Sequence, residues 1–214
     1  MGQPRLADHR GLFALNALLL ALACTFSPAD ANRAAGEGAA MARTHAPYTV
    51  RPWVLWDARD PLRAVHGRAD LDAVIVETPY ERLRYEAYLQ MLQDLPLTNA
   101  LVERWRRAAQ DRFGFVVYGH SRGGGDRDKT FLRRFSPATV LLGDGRRTAS
   151  TERVPFGPDA DFYSVGTFRE ERYAGSVTYR FAAPPDACRP AGVLTFTDAD
   201  GRRYRFAFDL ARYR

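Results

Sequence analysis

The residues with the clearest capacity for chemistry are Gly119-His120-Ser121-Arg122-Gly123, which follow the apolar run Phe113–Tyr118. A Gly-x-Ser-x-Gly run after a strand is where a sharp turn can lift a serine Oγ toward a histidine base, the arrangement of a serine esterase or hydrolase. The base is what the chain lacks. Of its four histidines, His9, His45, His66 and His120, none follows Ser121, and His120 is too close in sequence to fold back onto its neighbour's hydroxyl. The residues after the serine fail as well. Gly123-Gly124-Gly125-Asp126-Arg127-Asp128 is a flexible charged run, which reads as a loop and not as the start of a helix.

The motif resembles the nucleophile elbow of α/β-hydrolases, and the resemblance implies a chain order of Ser, then Asp or Glu, then His. His66 with Asp70 or Asp94 would meet the His, Asp, Ser order of trypsin-like enzymes, but too little chain precedes Ser121 to build the first of that fold's two barrels. The expectation is therefore no catalytic residue. Phe113–Tyr118 is read as a strand leaving through a Gly-rich hairpin loop, Gly119–Asp128, with His120, Ser121 and Arg122 as a candidate binding loop. Serine ester hydrolysis at Ser121 stands as the alternative. No metal and no cofactor is expected. Asp57, Asp60, Asp70 and Asp72 match no ligand spacing, and Asp198-Ala199-Asp200-Gly201 opens like a calcium loop but meets Ala207 where the closing glutamate should stand.

The chain begins with an export pattern. Arg5 and Arg10 precede an apolar stretch, Leu12–Phe26, too short to span a bilayer stably, and Ser27-Pro28-Ala29-Asp30-Ala31 offers an Ala-x-Ala cleavage site. Residues 1–31 are accordingly read as a signal peptide, with the mature chain periplasmic or secreted. Leu20-Ala21-Leu22-Ala23-Cys24 resembles the lipobox of bacterial lipoproteins, which implies lipidation at Cys24 and an anchor in the envelope; both readings stay open. In the first case Cys188 is the one mature cysteine and cannot close an internal disulfide.

The 214 residues carry a net charge of +6, almost all of the positive charge being arginine, since Lys129 is the only lysine. A GC-rich genome accounts for that bias; a basic surface for an anionic envelope polymer is the functional account. Acidic residues are interspersed throughout, and without a basic block or stacking motif nucleic acid is excluded as a partner. The expected partner is an unknown envelope protein or a polyanion, with membrane contact only through the possible lipid.

These residues must be held by a small set of elements. Asn32–Pro47 is small, polar and aperiodic, and reads as a flexible leader. Tyr48–Asp57 has strand composition interrupted by Pro52, which suits an edge, and Ala73–Glu77 is a buried strand. Thr78-Pro79-Tyr80-Glu81 is a capping box with proline at the first helical position, followed by a stripe of Tyr80, Leu83, Ala87, Met91 and Leu95. Thr98 caps a second stripe of Leu101, Val102, Trp105, Ala108 and Ala109, so a helical hairpin is expected at about 79–111. Tyr85 and Tyr88 beside Arg82 and Arg84 either line a groove on it or belong to its core.

From Phe113 the period changes to that of strands. Candidates are Phe113–Tyr118, Ala138–Leu142, Phe162–Phe168, Tyr173–Ala182, Val193–Thr197 and Tyr204–Leu210, with turns at Asp144-Gly145 and Asp200-Gly201. The strand pair, the Leu141-Leu142-Gly143-Asp144-Gly145 turn, the run Gly175–Phe181 and the hairpin at Asp200-Gly201 together resemble the immunoglobulin-like β-sandwiches of bacterial exported proteins and lipoproteins. The resemblance implies an antiparallel sandwich over residues 48–214 with the helical hairpin inserted, and a non-catalytic binding or structural role in the bacterial cell envelope.

Overall fold

Strict alternation along two runs builds the centre of the molecule. In Phe113–Val117 and Val177–Phe181 every second side chain is apolar and fully buried, namely Phe113, Phe115 and Val117 on one strand and Val177, Tyr179 and Phe181 on its neighbour. The computed structural model describes residues 26–58, 70–122, 126–165, 168–184 and 190–213. Its strands form two wholly antiparallel sheets in a mixed α+β fold. The first sheet runs β1 (Val54–Asp57), β2 (Asp70–Glu77), β3 (Arg112–His120), β7 (Phe168–Ala182), β6 (Glu152–Val165). The second runs β5 (Arg147–Ala149), β4 (Thr139–Leu142), β8 (Ala191–Thr197), β9 (Arg203–Asp209).

The two sheets enclose one apolar core, to which the second contributes Val140, Leu142, Leu194, Phe196 and Phe208. Phe115 meets Phe208 edge-on at 5.0 Å between centroids, and Tyr179 meets Phe196 at 5.7 Å. Tyr179 hides its hydroxyl by donating to Ser136 O at 2.9 Å, and burial pushes that phenol's pKa above its ordinary value. A 3-10 segment, Asp126–Arg134, adds Phe131 and Leu132 to the same core, with Phe135 following it.

The other face of the first sheet carries a helical layer. α1 (Pro28–Arg43), α2 (Pro79–Leu92) and α3 (Asn99–Ala109) bury Ala31, Ala34, Ala35, Tyr80, Leu83, Ala87 and Val102 with Trp53 and Ile75 in a second cluster. Thr78 Oγ1 accepts from the Glu81 N–H at 3.2 Å and Thr98 Oγ1 from the Leu101 N–H at 3.3 Å, so both expected caps form and the helical hairpin stands where it was expected. The carboxylate half of the first capping box goes elsewhere: Glu81 Oε1 accepts from the Tyr48 hydroxyl at 3.0 Å.

The segment expected to be a flexible leader is α1. Ser27 caps it by accepting from the Asp30 N–H, Pro28 opens it, and its buried stripe is made of alanine and glycine. Such small residues let two helices approach backbone to backbone: a Cβ on Gly38 would stand 2.0 Å from the Arg84 carbonyl oxygen of α2. The fold therefore already includes α1, well before Tyr48, and a cut after Ala31 would fall inside it. Cys24, Cys188, His9, His66 and Asp60 lie outside the described residues.

Two further expectations need correction. The Gly-rich segment is not a hairpin loop, because β3 belongs to the first sheet and β4 to the second, so it crosses between sheets. The expected strand Phe162–Phe168 spans two strands: Phe162–Val165 is the end of a 14-residue strand that starts at Glu152, and Phe168 already opens β7. Pro155 and Pro158 discourage reading a strand there, but β6 is an edge, where a missing N–H is tolerated, and a bulge between Phe156 and Asp159 absorbs the kink. The turns at Asp144-Gly145 and Asp200-Gly201 are as expected, with φ of +85° and +81° at the glycines.

Candidate functional site

The three residues of the candidate loop go three ways. His120 closes β3, and its Nδ1 lies 2.8 Å from Asp72 Oδ1 on β2. Ser121 continues the β3–β7 ladder, its N–H donating to Tyr173 O at 2.8 Å. Its hydroxyl is 0 % exposed, donates to Arg122 O at 2.8 Å and accepts from the Tyr173 N–H at 3.1 Å. Arg122 is exposed and reaches Asp200 Oδ2 at 3.1 Å, on the turn between β8 and β9 of the other sheet. Successive side chains on a strand point to opposite faces, so the imidazole of His120 is turned away from its neighbour's oxygen. A serine whose oxygen is buried between two backbone groups lacks the exposure of a nucleophile, and among the described residues neither His45 nor His120 hydrogen-bonds to it. His45 sits just beyond α1, exposed, with φ +53°. Among the described residues no group of three or more metal-ligating side chains converges; Asp72 serves His120.

The helical edge splits in the same way. Arg84 is 6 % exposed, lies 4.8 Å from the ring centroids of both Tyr48 and Trp53, and donates to Thr49 O at 3.0 Å. Tyr88 donates to Ala46 O at 3.2 Å. Both hold the segment that follows α1 against α2, as core side chains do. Tyr85 faces outward, with Tyr48 edge-on to it at 4.9 Å. Under Tyr48, burial raises the Glu81 carboxyl to a pKa of about 7, against the opposing hydrogen bond from Tyr48. Burial likewise raises the pKa of the Tyr48 phenol, with the charge of Glu81 adding to it.

The strand register shows what the helices leave open. On the helical side of the first sheet the cross-strand rows are Ala73–Tyr118–Ser176–Phe156, then Ile75–Val116–Thr178–Val154, then Glu77–Gly114–Arg180–Glu152. The helices bury Ile75 and cover Ala73 and Val116, on β2 and β3. On the far side of the sheet Val154 is exposed and Phe156 is 75 % exposed, and on β3 Tyr118 is 41 % exposed. Half of this face is thus an open apolar shelf beside α2.

The third row closes one end of the shelf with charge. Arg180 Nε lies 3.2 and 3.3 Å from the two oxygens of Glu77, and its Nη1 lies 2.9 Å from Glu152 Oε2. Arg180 reaches Glu77 over β3 because Gly114 stands between them; a Cβ there would sit 2.9 Å from Glu77 Oε2. Arg112 hydrogen-bonds the other oxygen of Glu152, and the hydrogen bonds from Arg180 and Arg112 hold the Glu152 carboxyl below its ordinary pKa. Arg82 stands 3.8 Å from Glu77. With Thr78, Pro79, Ala109 and Phe113, the side chains of Glu77, Arg82, Arg112 and Arg180 line a small pocket.

Comparison of the chain with family models, with curated proteins and with solved structures found no match.

Sequence reasoning singled out Arg82 but missed Glu77, Phe156 and Glu152, which Arg112 and Arg180 share. The alternation of Val177-Thr178-Tyr179-Arg180-Phe181 does assign Arg180 to the polar face. Its partners stand two strands away on one side and on an unrecognised strand on the other, which no local pattern reveals.

Proposed function

We propose that this chain is a non-catalytic binding protein of the bacterial cell envelope, which meets its partner with the open half of the first sheet beside α2. The observation that carries this is the uncovered cluster of Tyr118, Val154 and Phe156 on a sheet whose opposite face packs against the second sheet through β2, β3 and β7. Exposed apolar groups gathered in one place mark interaction surfaces more often than singly scattered ones do. The rival, ester hydrolysis at Ser121, has its hydroxyl consumed by the Arg122 and Tyr173 backbone. The sandwich half resembles the immunoglobulin-like layout in having two antiparallel sheets between which the chain crosses repeatedly, at β3 to β4, β5 to β6 and β7 to β8.

Export rests on the N-terminal pattern, and the fold bears on where that leader ends. Phe26 packs edge-on against Tyr80 at 6.4 Å, its carbonyl accepts from Arg106 at 3.0 Å, and Ser27 caps α1. A leader ending just before Cys24 keeps all three contacts, whereas cleavage after Ala31 removes them, which favours a lipid anchor at Cys24. No helix among the described residues is long and apolar enough to cross a membrane.

Two measurements test the proposal. Wild type and Ser121→Ala should both show no ester turnover above buffer; turnover in the wild type that is lost in the variant overturns the non-catalytic assignment. A photo-crosslinker placed at position 156 in cells should capture a partner that one placed at exposed Leu141, on the second sheet, does not; equal capture, or none, counts against the shelf. For the anchor, mass spectrometry of membrane-bound protein should find Cys24 acylated at the N-terminus, and a chain starting at Asn32 would refute it.

A further inference from the structure

We propose that the pocket at the end of the shelf, lined by Arg82, Arg112 and Arg180, binds a small oxyanion, a phosphate or carboxylate group carried by the ligand. This deepens the binding assignment above by naming the group its partner would present. Three guanidiniums meet there, and the carboxylates that form ion pairs with them are Glu77 and Glu152, two negative charges against three positive. The first turn of α2 borders the same pocket through Thr78 and Pro79, and a helix start adds positive potential.

The donors are as unbalanced as the charge. Among the described residues the Arg82 guanidinium makes no hydrogen bond and forms its one ion pair with Glu77, at 3.8 Å. Arg112 spends a single nitrogen, on Glu152. Arg180, by contrast, is committed to both carboxylates. Arginine presents a planar fork that matches the spacing of phosphate and carboxylate oxygens, so two forks with unspent donors around one pocket form an oxyanion receptor. Arg180 and the two glutamates act as its frame. They hold β2, β7 and β6 at a fixed spacing across Gly114, so that Arg82 on α2 and Arg112 at the head of β3 border the same space. A cation would meet the unbalanced positive charge and is disfavoured, and an uncharged sugar would leave it uncompensated.

The experiment titrates the folded chain with inorganic phosphate or with acetate, at ionic strength held constant with chloride, and follows the Nε–H resonances of arginine by NMR. Saturable shifts of Arg82 and Arg112 with one of the two anions are expected, and which anion it is separates a phosphate ligand from a carboxylate one. Arg82→Gln and Arg112→Gln should each weaken binding about tenfold, the loss of a charge-assisted hydrogen bond. Shifts that chloride reproduces, the absence of shifts with both anions, or affinity unchanged in both variants would overturn the proposal. Phe156→Ser should leave the anion affinity intact, so failure of the shelf and failure of the pocket are read separately.

Discussion

The two faces of the first sheet are built from the same strands and do opposite things. Toward the second sheet, β2, β3 and β7 present Val76, Phe115, Val117, Val177 and Phe181, each essentially without exposure. Toward the helices the same strands present apolar cover over β2 and β3, then a charged row, then an exposed shelf. A closed face is under one constraint, which is filling space. A half-open face must also remain soluble, and it does so by ending in paired charges at Glu77, Arg180 and Glu152. Stability should therefore reside in the first face and recognition in the second. Phe115→Ala tests the first half most severely. The ring touches Phe113, Phe181 and Phe208, with centroids at 6.0, 6.0 and 5.0 Å. Its loss should cost roughly 3–5 kcal/mol in denaturant melts, as large aromatic deletions in cores do. A loss under 1 kcal/mol would mean that the two sheets do not pack as described.

The next effect lies in the helical layer, at Gly38. Placing a methyl group 2.0 Å from the Arg84 carbonyl forces α1 and α2 apart. Gly38→Ala should cost about 1–3 kcal/mol, the usual range for overpacking, and should make Arg33 and Arg43 cleavable by trypsin well below the melting temperature. If residues 32–47 were a flexible leader the substitution would change neither.

That variant also bears on how much of the fold could be read from the residues. The β-turns at Asp144-Gly145 and Asp200-Gly201, the caps Thr78 and Thr98, and the edge position implied by Pro52 are local chemistry, and each is where local chemistry puts it. α1 is equally periodic, with Ala31, Ala34, Ala35, Gly38 and Ala42 spaced as one helical stripe. Alanine and glycine carry little hydrophobic weight, so the stripe does not stand out until the partner helix is present. The elbow-like motif is the opposite case: a strong local pattern whose context, a strand crossing to another sheet, lies outside it. The charged row was invisible because it joins residues as far apart as Glu77 and Arg180.

A pH titration comes third in size. Burial raises the folded Glu81 carboxyl from 4.5 to about 7. A carboxyl whose folded pKa is raised favours the folded state most when protonated. That contribution is complete below pH 4.5 and is lost as pH rises through about 7. Wild type should therefore lose stability between pH 5 and 8, by no more than on the order of 3 kcal/mol, since each pH unit between the unfolded and folded pKa is worth about 1.36 kcal/mol. Glu81→Gln keeps an acceptor for the Tyr48 hydroxyl and should lose much less over the same window. Parallel stability curves for the two proteins would mean that Glu81 is solvated and that the helical layer is looser than its contacts imply.

The smallest expected effect separates the two faces most cleanly. Phe156 is as large and apolar as Phe115 but 75 % exposed, on the edge strand, opposite Ser176. In the isolated protein it has little burial to lose, so Phe156→Ser should change stability by less than about 0.5 kcal/mol, the range of surface substitutions away from special features. A loss above 1 kcal/mol would show that something in the chain already covers the shelf, and the surface would then not be open to a partner. With stability unchanged, any loss of cross-linking from Tyr118 in the same variant reports the partner alone. Two phenylalanines facing opposite ways on one sheet would then divide the work, one holding the sheets together and the other meeting what the protein binds.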